Sequence, residues 1–239
     1  MIERALRILE KNRVKNCSII NFCKDYPIEL VEIVGKSVAV KGKSDRNWVY
    51  ISSENLEEFK ELLKRISAET CYAVLEDWLL PYVIADREVD WILSCKRFYL
   101  PDYVTLPKTT IGVKPLRPEM ADYIFENYEY REYTDSDYIK GRIEKAGGFG
   151  IFDGETLVGW IMTQDDGAIG ILNVLPAYRR RGYARALMIS MVEKVRESGN
   201  IPFVQIEESN IPSMNLAKSL GFIEDRNVHW VKLKKEDHM

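Results

Sequence analysis

The chain has 239 residues, of which 46% are hydrophobic, and a formal net charge of -3. That supplies a substantial core and gives no electrostatic reason to expect a nucleic-acid partner. Cys17, Cys23, Cys71 and Cys95 lack zinc-knuckle spacing and the histidines are only His229 and His238, so no metal is expected.

The N-terminus has no apolar signal core, and no apolar run approaches the roughly 20 residues that span a bilayer. A soluble cytoplasmic protein with no membrane partner is expected. Residues 2–12 read as a short helix with an apolar stripe of Ile2, Leu6, Ile8 and Leu9. Strands are expected over 28–34 and 37–40, turning at Gly35-Lys36, and over 48–51. Ser53 is placed to cap a helix over 54–66, where Leu56, Phe59, Leu62, Leu63 and Ile66 recur at helical spacing. Residues 71–75 read as strand, 77–84 as a helix interrupted by Pro81, and 89–100 as extended.

Pro101, Pro107 and the polar step Lys108-Thr109-Thr110 mark a boundary. It divides the chain into a smaller mixed α/β domain, 1–107, and a second α/β domain, 108–239. In the second, 111–116 reads as strand, and Pro118 opens a helix running to Phe125. Thr134 or Asp135 caps a helix ending near Ala146-Gly147-Gly148. Residues 149–152 and 156–162 form a hairpin around Asp153-Gly154, and 169–174 adds a third strand. Leu187, Met188, Met191, Val192 and Val195 mark one face of a long helix. A strand over 203–206, a helix over 212–219 and a strand over 228–233 complete a mixed sheet.

The chemistry concentrates in Val174-Leu175-Pro176-Ala177-Tyr178-Arg179-Arg180-Arg181-Gly182-Tyr183-Ala184, between an apolar strand and the long helix. Gly182 lets a phosphate approach backbone, and Ala184 keeps the next inward position small. The first helical turn offers N–H groups without intrahelical acceptors, and the helix dipole favours an anion there. Arg179, Arg180, Arg181 and Arg185 add positive field. The full Gly-x-Gly-x-x-Gly run of a dinucleotide fold is absent, as is the Gly-Lys-Ser/Thr ending of a P-loop.

Arg179-x-x-Gly182-x-Ala184 resembles the Gln/Arg-x-x-Gly-x-Gly/Ala signature of the GNAT acyltransferase superfamily. The run from Asn210 through Ser213, Leu216 and Leu220-Gly221-Phe222 resembles that family's later Asn, small residue, Leu and Leu-Gly-Phe pattern. The resemblance covers about 120 residues, and the two-part layout resembles the glycine N-acyltransferase branch. It implies a donor substrate, acetyl-CoA or another acyl-CoA, with no metal. It further implies that backbone groups of Leu172 and Val174 hold the pantetheine arm, with the Leu172 N–H a donor to the acyl carbonyl. Arg179, Arg180, Arg181, Gly182, Tyr183 and Ala184 would cradle the pyrophosphate. Asn210 would fix pantetheine, cap a helix or do both, and Ser213 would reach the coenzyme.

The family's usual glutamate near the start of its fourth strand falls on Ala168, and its usual late-helix tyrosine falls on Ala217. Asp165, Asp166, Glu207 and Glu208 stand as substitute bases; Tyr128, Tyr130, Tyr133, Tyr138 and His229 are further candidates beside their ordinary packing roles. The implied acceptor is a small-molecule amine or amino acid, with a protein amine as the other class. An acyl-CoA-binding sensor is the alternative function, with the first domain acceptor-side or regulatory.

Overall fold

The computed structural model of the protein describes residues 1–234, so His238 lies outside the described residues. Two compact units divide the chain, and neither is continuous. Of the described residues, one comprises 1–98, 205–211 and 224–234; the other comprises 99–204 and 212–223.

The first unit opens with α1 (Ile2–Leu9), a single 3-10 turn and α2 (Arg13–Asp25). The Asn12 side chain starts α2 by accepting the Lys15 N–H at 3.2 Å. Strands β1 (Ile28–Val34), β2 (Ser37–Lys43) and β3 (Asn47–Ser52) form an antiparallel meander. Helix α3 (Leu56–Arg65) follows. Its cap is Asn55 rather than Ser53: the Asn55 side chain accepts from the N–H groups of Glu57 and Glu58, at 2.9 and 3.0 Å. The Ser53 hydroxyl is instead 2.7 Å from that of Ser37. Then come β4 (Cys71–Glu76), α4 (Leu80–Ile84, with Pro81 in its first turn) and β5 (Val89–Tyr99).

The second unit has only a two-residue strand β6, Lys114–Pro115, where a strand over 111–116 is expected. Pro115 has no N–H to extend the ladder. Pro118 opens a 3-10 turn that continues into α5 (Ala121–Glu126). Asp135 caps α6 (Ser136–Ala146), accepting the Tyr138 N–H at 2.7 Å, and Gly147 ends it at a φ of 68°. Strands β7 (Gly148–Asp153), β8 (Thr156–Thr163) and β9 (Ile169–Val174) are antiparallel, and helix α7 (Tyr183–Glu197) packs on them. Strand β10 (Phe203–Glu207), α8 (Ile211–Ser219) and β11 (Ile223–Leu233) end the described chain.

The seven-stranded sheet runs β1-β2-β3-β4-β11-β5-β10, and the four-stranded sheet runs β6-β7-β8-β9. The last two strands therefore join the seven-stranded sheet, and β9 is left as an edge. One succession occurs twice along the chain: two helices, a three-strand meander, a helix, a strand, a short helix and a long strand.

Each face of the seven-stranded sheet has its own core. On one side Leu9, Ile20 and Phe22 pack with Val38, Val40, Tyr50 and Trp230; on the other Phe59 and Leu62 pack with Val49, Tyr72, Leu75 and Val231. In the second unit Ile124, Ile139 and Ile143 meet Trp160, Met162 and Ile171. Burial of each such large side chain stabilises the fold by about 1.5–3 kcal/mol before entropy is subtracted.

Candidate active site

The site begins at the edge of β9. The Leu175 N–H donates to the Val158 carbonyl at 2.9 Å, while Gly159 faces Val174 and Trp160 faces Asn173 across the ladder. Hydrogen-bonded and open pairs alternate in an antiparallel ladder, so Asn173 turns its polar groups toward β8. Val174 turns its own toward the unpaired edge, and Leu172 shares that direction. Between Asn173 and Gly170 the strand carries one residue more than β8 does, and Ile171 adopts a φ of 47°. This is a β-bulge. Holding a β-branched residue there costs on the order of 1–3 kcal/mol. The bulge re-aims the backbone at Leu172.

Beyond Leu175 a 3-10 turn, Pro176–Tyr178, carries the chain toward α7. Arg180 and Gly182 both have left-handed backbone, at φ of 66° and 81°. Gly182 is the N-cap of α7; no side chain caps this helix, and its first turn holds no acidic residue. The first intrahelical bond runs from the Ala186 N–H to the Gly182 carbonyl, at 3.0 Å. The N–H groups of Gly182, Tyr183, Ala184 and Arg185 thus lack intrahelical acceptors and sit at the positive end of a 15-residue helix. A Cβ built on Gly182 would meet only the tip of Ile111, at 3.3 Å, so the space before the helix is open.

The arginines divide their work. Arg179 donates from Nε to the Val174 carbonyl at 2.9 Å and from Nη2 to Glu129 at 2.5 Å, bracing the turn against β9. Arg181 donates to the Ala177 carbonyl at 3.1 Å and lies 5.0 Å over the Tyr178 ring. The Tyr178 hydroxyl donates to Asp153 at 2.9 Å, which with some desolvation pushes the phenol pKa up. Arg185 reaches the Ser219 hydroxyl at 3.0 Å, and Arg180 is exposed. Residues 179–184 and the Val174 edge are therefore brought together. Residue types alone carry no sign of the bulge at Ile171 or of Glu129 as the partner of Arg179, because both depend on strand register and loop path.

Asp165 and Asp166 stand at the other end of β9, whose six residues span about 20 Å at ordinary strand rise. Asp166 is 0% exposed and accepts the Ala168 N–H at 2.9 Å. The Asp165 N–H donates to the Tyr138 hydroxyl at 3.2 Å. Arg142, also buried, donates to the carbonyl and hydroxyl of Thr163, bringing a cation to the end of β8 from which these aspartates follow. Their surroundings are those of a buried polar turn. Ala168 and Ala217 are 1% and 0% exposed, so neither position carries a proton-transfer group or space for one.

Glu207 ends β10, and Glu208 is exposed, 3.9 Å from Lys96. Asn210 immediately precedes α8, its N–H donating to the Glu207 carbonyl at 2.9 Å, and Ser213 lies in the first turn of α8. Tyr128 packs against the second unit's core with its ring 5.8 Å from that of Tyr130, while Tyr133 is exposed. His229 is buried in β11, with Nδ1 2.9 Å from the Ser94 hydroxyl and Nε2 2.6 Å from Asp77. Both ring nitrogens are engaged within the first unit, which explains a buried histidine without a catalytic role. Among the described residues there is no His/Cys/Asp/Glu group able to hold a metal, and no helix long and apolar enough to cross a membrane.

A family model described as FR47-like protein matches residues 148–231, about a third of the chain. No curated protein matches. Among solved structures, an X-ray structure of a Drosophila protein superposes with a TM-score of 0.80 at 18% identity, covering 99% of this chain and 98% of its own. A GCN5-related N-acetyltransferase-like protein from Streptococcus suis gives 0.57 at 14% identity, covering 98% and 100%. A tandem GNAT protein from the clavulanic acid biosynthesis pathway gives 0.50 at 13% identity, covering 91% and 87%. At these identities the likeness is one of architecture, and the chain has the fold of the GNAT acetyltransferases, with the GNAT-like strands preceded by a further α/β part.

Proposed function

We propose that the protein is a coenzyme A-dependent N-acyltransferase, with acetyl-CoA as donor and a primary amine of a small molecule or amino acid as acceptor. The observation that carries this reading is the β9–α7 junction. There the outward polar edge at Leu172 and Val174 is continuous with an uncapped helix start built on a left-handed glycine. The N–H groups from Gly182 to Arg185 would take the pyrophosphate, with Arg180 and Arg181 supplying field. The pantetheine arm would add to the edge of β9 much as a strand does. The carbonyl of Val174 already accepts from Arg179, leaving its N–H to the arm.

Transfer is direct: the amine lone pair attacks the thioester carbonyl, the oxyanion is met by the Leu172 N–H, and the C–S bond breaks to release coenzyme A thiol. The amine loses one proton and the thiolate gains one. Asp165, Asp166, Glu207 and Glu208 remain the carboxylates proposed for the base. The surroundings of Asp166 count against it, since its carboxylate is enclosed and turned on the Ala168 N–H.

The alternative, an acyl-CoA sensor without turnover, draws on the two buried alanines at positions 168 and 217. The two readings separate in one experiment. Calorimetry with acetyl-CoA is followed by thiol release against a broad panel of primary amines. Saturable binding with amine-dependent thiol release supports the enzyme, and binding without release supports the sensor. Absence of binding by the folded protein would overturn both.

A further inference from the structure

Strand β9 does more than offer a polar edge. Asn173 stands between Leu172 and Val174, the two residues whose backbone would meet the pantetheine arm, and its side chain takes no part in that edge. Residues directly opposite in a ladder share a face of the sheet. Asn173 is opposite Trp160, and Trp160 packs with Ile124 and Ile139, from α5 and α6. On that face Asn173, only 9% exposed, donates from Nδ2 to the Asn127 carbonyl at 2.9 Å. Asn127 directly follows α5 and begins the connection to α6.

A second tie lies two residues further along the connection. Glu129 meets Arg179 Nη2 at 2.5 Å, and the same guanidinium holds the Val174 carbonyl through Nε at 2.9 Å. The ties are unequal. Loss of the Asn173 donor would leave a carbonyl without its partner at a buried contact, which is costly. The Glu129–Arg179 pair has 65% and 46% of its side chains in water, where an ion pair adds little. Between α5 and α6 the regular structure is a single 3-10 turn, Arg131–Tyr133. Tyr128 packs against the same core as Leu175, with its ring 5.8 Å from that of Tyr130. The strand and turn that would hold the coenzyme therefore also hold residues 127–133.

We propose that Asn173 is a positioning residue of the transfer reaction. By fixing the backbone at Asn127 it sets residues 127–133 as a wall that aligns the acceptor amine with the thioester, and the Glu129–Arg179 pair is a weaker second tie. The inference rests on the acyltransferase reading and names residues of this chain through which β9 would serve both substrates. Alignment of the two reactants is where such a tie acts, because a small misplacement of reacting atoms is felt strongly in the rate.

The test uses the full chain, with glycine, benzylamine and putrescine as probe amines and thiol release at saturating acetyl-CoA as the readout. Asn173→Ala removes the tie, and Asn173→Asp keeps the shape but has no N–H for the Asn127 carbonyl. Both should raise the acceptor KM at least about fivefold, with acetyl-CoA affinity by calorimetry within about twofold of wild type. Glu129→Gln, at the surface, should raise the same KM about twofold. Coenzyme affinity that falls in step with acceptor KM would mark a merely structural role and overturn the proposal. An acceptor KM unmoved in the folded Asn173 variants would also overturn it, as would one unmoved in Glu129→Gln should neither Asn173 variant fold. Turnover with an unmoved acceptor KM counts against this inference alone. A wild type that binds acetyl-CoA and releases no thiol with any of these amines overturns the acyltransferase reading and this inference with it.

Discussion

Replacing Gly182 by alanine separates two consequences of one methyl group. The first is backbone strain: at a φ of 81° and ψ of 0° an L-residue pays about 1–2 kcal/mol relative to glycine. The added Cβ meets only Ile111 Cδ1, at 3.3 Å, and that methyl can give way. For a chain of this length the strain should lower the melting temperature by about 2–8 °C. The second consequence is occupancy of the space before α7, where the phosphate must touch backbone. If that contact is made, coenzyme affinity should fall at least about tenfold, well over 1 kcal/mol. Gly154→Ala is the control: Gly154 has a φ of 59° in the β7–β8 turn, with nothing within 4 Å of an added Cβ. It should lose comparable stability and no affinity. Thermal melts with acetyl-CoA calorimetry on the three proteins decide the matter. Equal coenzyme affinity in folded Gly182→Ala and wild type would refute the cradle.

Arg179→Gln should weaken acetyl-CoA binding about 3- to 10-fold with little change in melting temperature, since it removes an exposed brace on the Val174 carbonyl; unaltered affinity would make the brace irrelevant. Asp166→Ala should destabilise the fold by about 1–3 kcal/mol through the orphaned Ala168 N–H, and an Asp166→Asn variant that folds should keep the wild-type pH–rate profile. A lost alkaline-rising limb in that variant would restore Asp166 as a base. Glu58 accepts from the Ser37 hydroxyl and from the N–H groups of Lys36 and Ser37, which holds its pKa below the usual carboxylate value. Its contribution is therefore present above the ordinary carboxylate pKa and is lost as pH falls through the lowered value. Glu58→Gln should flatten that acid limb of stability in pH-dependent melts, and an unchanged slope would count against it.

What the sequence could convey depended on how regular each signal was. The β7–β8 hairpin and α6 were legible because Asp153-Gly154, Asp135 and Gly147 each perform a local task that their chemistry dictates. Helix α2 was not: Asn16, Ser18 and Asn21 are buried among Cys17, Ile19, Ile20 and Phe22, so polar residues fall on inward positions and erase the helical period. Ser53 and Asn55 are both good caps by type, and only the chain path selects Asn55. In the candidate site, the helix start at Gly182 was readable from residue types, whereas the bulge at Ile171 and the free edge of β9 depend on pairing between strands.

That pairing also decides how the chain can be cut. A fragment starting at Thr109 looks reasonable by sequence, since Pro101, Pro107 and the polar step resemble a linker. In the sheet, however, β11 lies between β4 and β5, and β10 lies beside β5. Such a fragment removes both neighbours of β11 and the neighbour of β10, exposing ladder groups on strands whose Val228, Val231, Phe203 and Val204 are buried. Of the two strand–helix junctions that follow a meander, the fragment would keep β9–α7 and discard β3–α3. The discarded one cannot replace it: α3 starts under the Asn55 side chain with Glu57 and Glu58 in its first turn, which fills the N–H groups and repels an anion. The fragment is therefore expected to aggregate or remain unfolded by circular dichroism and to bind no acetyl-CoA. A folded, monomeric fragment that binds with wild-type affinity would show that β10 and β11 do not need β4 and β5.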